Sequence, residues 1–156
     1  MRKAYLVFCL FVVVLAACGG GGAAETPLTL DQQMTNYEAS LRAEADWLWS
    51  NMNYATTHAR PETSQCAARD FKHKPVELDD TTRQTDLTAG SLVDNLNYVA
   101  ELIGQARDQW KLFCDNQINS ATASAFLESR LRPAYETLNT ITTMLEQRIT
   151  PSPVAQ

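Results

Sequence analysis

The chain has 156 residues, and its 18 acidic residues outnumber its 13 basic ones, which gives a net charge of −5 at pH 7. This acidic balance argues against a general nucleic-acid binder, because such proteins present a basic face to phosphates. The length corresponds to one domain with a single hydrophobic core.

The first 17 residues have the composition of an export signal. Arg2 and Lys3 precede an uncharged apolar run over 4–17, which is shorter than the roughly 20 apolar residues of a membrane-spanning helix. The run ends in Leu15-Ala16-Ala17-Cys18, and this sequence resembles the lipobox of a bacterial lipoprotein signal peptide. The resemblance implies cleavage before Cys18 and attachment of acyl chains such as palmitate to Cys18 as a membrane anchor. An ordinary secretory signal, the alternative, would leave Cys18 as a free thiol.

The resemblance also implies a location. Gly19 follows the cysteine at the position where lipoproteins retained at the inner membrane carry Asp. We therefore expect attachment to the outer membrane with the domain facing the periplasm, or to the outer leaflet of the cell membrane if the source is Gram-positive. Residues 18–28 then comprise the lipidated cysteine and a flexible Gly-rich tether, in which nine residues span about 15 to 18 Å.

Three long segments carry apolar residues at intervals of three and four, the spacing of amphipathic helices. The first runs from about 30 to 58, the second ends near Cys114, and the third runs from about 120 to 149. No segment alternates as a strand would. The pattern predicts an all-α fold, a bundle of three long helices in a single domain over 29–150, followed by a disordered tail over 151–156.

The start of the second helix and the connector before it are less regular. Thr81 with Gln84 predicts a capping box, whereas Gly90 and Ser91 indicate a later start. The connector over 59–80 is long for a loop in a compact domain. Because Glu62–Phe71 contains neither Gly nor Pro, we expect a short fourth helix there.

The cysteines predict one disulfide and, through it, the topology. Cys9 leaves with the signal and Cys18 carries lipid, so Cys66 and Cys114 remain as the pair in an oxidising compartment. Two buried free thiols are the alternative. Cys66 lies just past the first long helix and Cys114 at the end of the second, so the sulfurs meet only if these helices are parallel. The connector must then return the chain to the starting end of the bundle, and the third helix runs back again.

Motifs for catalytic and cofactor chemistry are missing from the sequence. It has no GxSxG, HExxH, Gly-rich phosphate loop, calcium-loop spacing or CxxC. His58 and His73 flank Cys66 at a spacing that matches no zinc site. Met34 or Met52 with His58 is better explained by helix packing than by haem ligation. We therefore predict no enzyme activity, no metal and no cofactor.

Two surface features suggest a binding site for a partner. Trp47, Tyr54 and His58 lie on a second stripe of the first helix, which is either buried under the connector or exposed as a contact face. The connector holds the densest basic run of this acidic chain, which is either a solvated run or a surface for an acidic partner. Its candidate residues are Arg69, Lys72 and Lys74.

Two functions from different classes fit these observations. The first is a non-enzymatic, lipid-anchored bundle that binds or protects a protein partner in the periplasm. It resembles, in class only, secretin pilotins and periplasmic immunity proteins, and it carries no residue motif of either. The second is a carrier or binding protein for a small apolar ligand or cofactor inside the bundle.

Overall fold

The computed structural model describes residues 27–58, 60–67 and 69–150, which form four α-helices and no strand. The helices are α1 (Leu30–Thr57), α2 (Asp80–Thr85), α3 (Leu87–Cys114) and α4 (Ser120–Ile149). The predicted all-α bundle with a disulfide between Cys66 and Cys114 is confirmed. The predicted signal peptide, the predicted lipidation site at Cys18, most of the predicted tether and the predicted tail over 151–156 lie outside the described residues. None of the described helices combines the length and apolar character needed to cross a bilayer.

Each long helix begins at a side chain that caps its first turn. Thr29 and Gln32 form a reciprocal capping box at the start of α1, and Asn119 accepts a hydrogen bond from a backbone N–H of the first turn of α4. Such caps satisfy N–H groups that have no partner within the helix. Asp86 caps α3 through the N–H of Ala89, at 2.9 Å.

The short fourth helix is wrongly placed by the sequence analysis, and the start of the second long helix, which the sequence left open, lies at Leu87. Glu62–Phe71 forms a turn and bends where it is described, not a short fourth helix. The short helix is α2, which Asp79 caps by accepting from the N–H of Thr82. Its acidic cap precedes the expected capping box, and a second cap at Asp86 starts α3 one residue after α2 ends. Two Asp residues seven apart therefore divide this stretch into two helices.

The order of the helices follows from contacts at both ends of the bundle. Cys66, just after α1, is bonded to Cys114 at the end of α3. At the other end Arg148 in the last turn of α4 contacts Asp31 in the first turn of α1 and Asp86 at the start of α3. α1 and α3 are therefore parallel and α4 is antiparallel to both, as the cysteine positions predict.

The core is continuous along the three long helices. Its buried apolar side chains recur every three or four residues on one face of each helix, and Val76 of the connector joins them. On the back of α1, Trp49 packs edge-on against Tyr135 of α4, and the Tyr135 hydroxyl donates a 2.6 Å hydrogen bond to Asp46. Burial and this hydrogen bond raise the pKa of Tyr135.

The disulfide should raise stability without being needed for helix formation. It closes a loop with a sequence separation of 48 residues, and a loop of this size contributes about 4 kcal/mol in the chain-entropy model. The continuous core should still fold by itself. We therefore expect Cys66→Ser with Cys114→Ser to lower the melting temperature while leaving the helical circular dichroism at 20 °C unchanged. Loss of the helical signal in this variant would contradict the prediction.

The Arg148 cluster should make stability depend on pH. Hydrogen bonds from Arg148 and from the N–H of Ala89 hold the pKa of Asp86 below its usual value. Because this pKa is lower in the folded state, the stabilisation is present above the unfolded-state pKa of about 3.9 and is lost as the pH falls through the folded-state value.

We expect Arg148→Met to lower the free energy of unfolding by about 1 kcal/mol at pH 7, and this difference should shrink below about pH 4. Arg132→Met is the matched control, because Arg132 pairs with Glu128 on an exposed face of α4, where an ion pair contributes little. Urea unfolding between pH 2 and 7 measures both variants. Equal losses in the two would contradict the role of the Arg148 cluster.

Candidate functional site

A surface pocket of about 340 Å³ lies at the disulfide end of the bundle, between α1, α3 and the connector. Three aromatic side chains, one from each segment, form its apolar wall: Trp47, Phe71 and Trp110. The Cys66–Cys114 disulfide adds to the same wall. We call this the aromatic pocket.

The aromatic side chains are held by one another and by the connector. The Trp47 ring lies 5.7 Å from Phe71 and meets Trp110 edge-on at 6.4 Å between centroids. Trp110 is buried, and its indole N–H donates a 3.4 Å hydrogen bond to the carbonyl of Gln65. The disulfide fixes the next residue, Cys66, to α3. The wall is therefore in place before any ligand arrives, which lowers the ordering cost of binding.

The rim of the aromatic pocket is basic although the chain is acidic. Arg69 of the connector and Arg107 and Lys111 of α3 line it, against one carboxylate from Asp115. All four residues are exposed. An apolar wall with a positive rim suits a ligand that pairs an apolar group with negative charge.

A buried carboxylate lies behind this rim. Glu44 of α1 is fully buried, and its two oxygens contact different segments. Oε2 accepts a hydrogen bond from Nε2 of His73 in the connector. Oε1 lies 3.2 Å from Nη1 of Arg107 and receives no hydrogen bond of good geometry from the described residues. Glu44 thus fastens the connector and positions one rim arginine.

A serine, a histidine and a carboxylate, the residue types of a hydrolytic triad, meet here as Ser40, His73 and Glu44. Their contacts hold the connector against α1, and we call the three residues the clamp. The Ser40 Oγ lies 3.0 Å from Nδ1 of His73 and donates a 2.9 Å hydrogen bond to the carbonyl of Tyr37, so its proton is directed to the helix backbone. Ser40 lies in the middle of α1, where neighbouring backbone N–H groups are taken up by the helix. The part of α1 around Ser40 therefore offers no pair of free N–H groups to stabilise an oxyanion.

The predicted contact residues divide among three places. Trp47 and Arg69 line the aromatic pocket. Lys72 and Lys74 line a smaller depression of about 140 Å³ beside Tyr37.

Two of the predicted residues close the turn after α1 instead. Tyr54 stacks on His58 at 3.8 Å and donates a 3.0 Å hydrogen bond to Glu62. The stripe on α1 is therefore half-buried at Trp47, where Phe71 of the connector packs against it, half-buried at Tyr54 and exposed at His58.

Several site residues were not predicted, although the sequence carried signals for them. Glu44 stands three residues after Leu41 and four before Leu48, so it occupies a core position of α1. Phe71 and His73 alternate with Lys72 and Lys74, and the first pair lies inward while the second is exposed, as expected of a chain packed along one face.

On α3, Arg107 and Lys111 are four residues apart and therefore lie on the same face of the helix. They stand on either side of the buried Trp110, so the rim of the pocket directly borders the core. Among the described residues, no group of three or more His, Cys, Asp or Glu side chains is arranged to hold a metal ion.

The clamp gives a stability prediction. His73→Ala removes the hydrogen-bonded partner of a fully buried carboxylate, so it should cost about 3 kcal/mol of unfolding free energy. Glu44→Leu with His73→Leu removes both polar groups and should recover most of that loss. His58→Ala, the exposed control, should stay within about 0.5 kcal/mol of the wild type. Urea unfolding at pH 7 measures all three, and a His73→Ala loss no larger than that of His58→Ala would contradict the clamp.

Comparisons with known proteins identify no relative of this chain. No family model matches the chain, and no curated protein or solved structure matches it significantly. The functional assignment therefore rests on the aromatic pocket, its charge and its place in the bundle.

Proposed function

We propose that this chain is a non-enzymatic, lipid-anchored envelope protein that binds a protein partner through the aromatic pocket. The observation that carries the proposal is the combination of three aromatic side chains with a rim of three cations and one carboxylate in an acidic chain. Tryptophan and arginine are enriched among the residues that dominate binding energy in protein interfaces. The partner segment is an aromatic or aliphatic side chain with acidic neighbours.

The position of the aromatic pocket supports this assignment. Trp47 lies 17 residues along α1 from Leu30, which places the pocket about 25 Å from the start of the helix. A chain anchored at Cys18 would enter the domain at the start of α1. A partner in the periplasm would therefore reach the pocket from the side away from the membrane.

The lipid anchor in this proposal is supported by the lipobox and by the short apolar run before it. Several acyl chains give essentially permanent attachment, since each buried CH₂ contributes about 0.8 kcal/mol. Radiolabelled palmitate entering the wild type but not Cys18→Ala is the expected result. Incorporation into both would remove the anchor from the proposal without affecting the pocket.

A carrier of a small apolar ligand is the second candidate, and one observation favours it. The aromatic pocket is mostly apolar, and its volume lies at the lower end of the range of small-molecule sites. The ligand would bind at this surface and not inside the bundle, where the core side chains of the three long helices pack together. Native mass spectrometry of the protein purified from its host distinguishes the two candidates, because a bound small molecule appears as added mass.

The test of partner binding uses charge reversal at the exposed rim. The acylated protein is used to isolate a partner from the host envelope, and the affinity is then measured with purified partner. Arg69→Glu with Lys111→Glu should weaken binding at least about tenfold, because each reversal replaces attraction to an acidic segment by repulsion. The weakening should diminish at high salt, which screens charges at the rim.

Two matched controls separate the pocket from other surfaces. Arg132→Glu changes the same charge on an exposed face of α4 and should leave the affinity unchanged. Lys72→Glu with Lys74→Glu tests the smaller depression and should have a weaker effect than the rim variant. Unchanged affinity in the rim variant together with lost binding in Arg132→Glu would place the site elsewhere.

A further inference from the structure

Large apolar side chains are exposed mainly at one end of the bundle. Among the described residues four such side chains are exposed, and three of them lie where the chain enters α1, enters α3 and leaves α4: Leu28 at 47%, Leu87 at 75% and Ile149 at 57%. The fourth, Tyr98 at 48%, lies eleven residues further along α3 than Leu87. We call the first end, opposite the disulfide, the tether end.

The three aliphatic side chains surround one charged cluster. Arg148 binds Asp31 and Asp86 at 2.9 Å each. Leu87 directly follows Asp86, and Ile149 directly follows Arg148. Ile149 and Leu28 line one open depression of about 550 Å³. The charges are thus paired with one another, while the apolar side chains around them are exposed.

The way the chain enters this end indicates what covers it. Cys18 lies only ten residues before Leu28, and the residues between them are rich in Gly. Nine residues of Gly-rich composition span about 15 to 18 Å. A bilayer that holds the acyl chains therefore lies within reach of the tether end. The disulfide end is farther away by the length of α1.

We propose that the tether end rests on the lipid surface to which Cys18 is attached, with Leu28, Leu87 and Ile149 inserted among the headgroups. This inference depends on the lipid anchor of the proposed function. Three aliphatic side chains bind lipid weakly without an anchor, but a short tether makes the contact intramolecular and raises its effective concentration. The preferred surface is zwitterionic, because the chain is acidic and its one cation in this cluster is already paired with Asp31 and Asp86.

The contact would orient the molecule. α1 then rises from the membrane, and the aromatic pocket stands about 25 Å above the start of that helix, facing away from the lipid. An anchored domain without this contact would sample many orientations, and in some of them the pocket would face the membrane.

The test is a depth measurement on the full chain, expressed in a bacterial host, purified from its membranes in detergent and reconstituted into phosphatidylethanolamine–phosphatidylcholine vesicles. Ile149→Cys carries an environment-sensitive fluorophore, and Tyr98→Cys carries the same fluorophore as a control at another exposed apolar position. We expect the Ile149 label to shift to the blue and to be quenched by nitroxide lipids. The Tyr98 label should show neither effect. Adding Leu28→Ser and Leu87→Ser should reduce quenching of the Ile149 label to the level of the Tyr98 label.

The other outcomes overturn the proposal in distinguishable ways. Mass spectrometry of each preparation shows whether Cys18 is acylated. Acylated protein whose Ile149 label is not quenched overturns the lipid contact and leaves the anchor standing. Protein without acyl chains removes the anchor and this inference together. A blue shift that depends on protein concentration and persists in detergent without nitroxide quenching would assign the tether end to contact with a second copy.

Discussion

A fully buried carboxylate determines how the segments around the aromatic pocket are held. Glu44 stands on the core face of α1, where an unpaired charge would be strongly unfavourable. His73 and Arg107 both approach it, one from the connector and one from α3. The connector therefore has to pass along α1 at this level, and Phe71, two residues before His73, is brought against Trp47. The need of the buried Glu44 carboxylate for a partner thus places Phe71 in the apolar wall of the aromatic pocket.

Because α1 and α3 are parallel, the partial negative charges of their carboxyl ends lie together at the disulfide end. The carboxyl ends of both helices lie there, and each carries partial negative charge from its unpaired carbonyl groups. Lys111 lies in the last turn of α3 and offsets this charge, while the last turn of α1 has no basic residue. Lys111 therefore has two roles, because it balances the end of α3 and also faces the solvent beside the aromatic wall.

The fold was largely predictable from the sequence, whereas the site was predictable only in part. Long apolar stripes predict the three long helices, because the burial of one helix face is repeated over many residues. The two cysteines predict how these helices are ordered in the bundle. The position of α2 depends on two single caps, Asp79 and Asp86, which compete with other plausible starts. Glu44 was not predicted because the spacing of apolar residues does not identify a polar residue at a core position. Arg107 and Lys111 join Arg69 only in the folded chain, through a connector path that local patterns do not specify.

The disulfide also determines what a break in the chain would do. Cys66 and Cys114 enclose most of the connector together with α2 and α3. Within that loop the exposed Lys72 is a site where a trypsin-like protease would cut, whereas Pro75 protects the bond that follows Lys74. Cleavage there would leave two fragments that remain covalently joined, one holding α1 and the other holding α2, α3 and α4. The nicked protein would migrate as a single species until a reductant separates the fragments, so proteolysis at this position need not release either half.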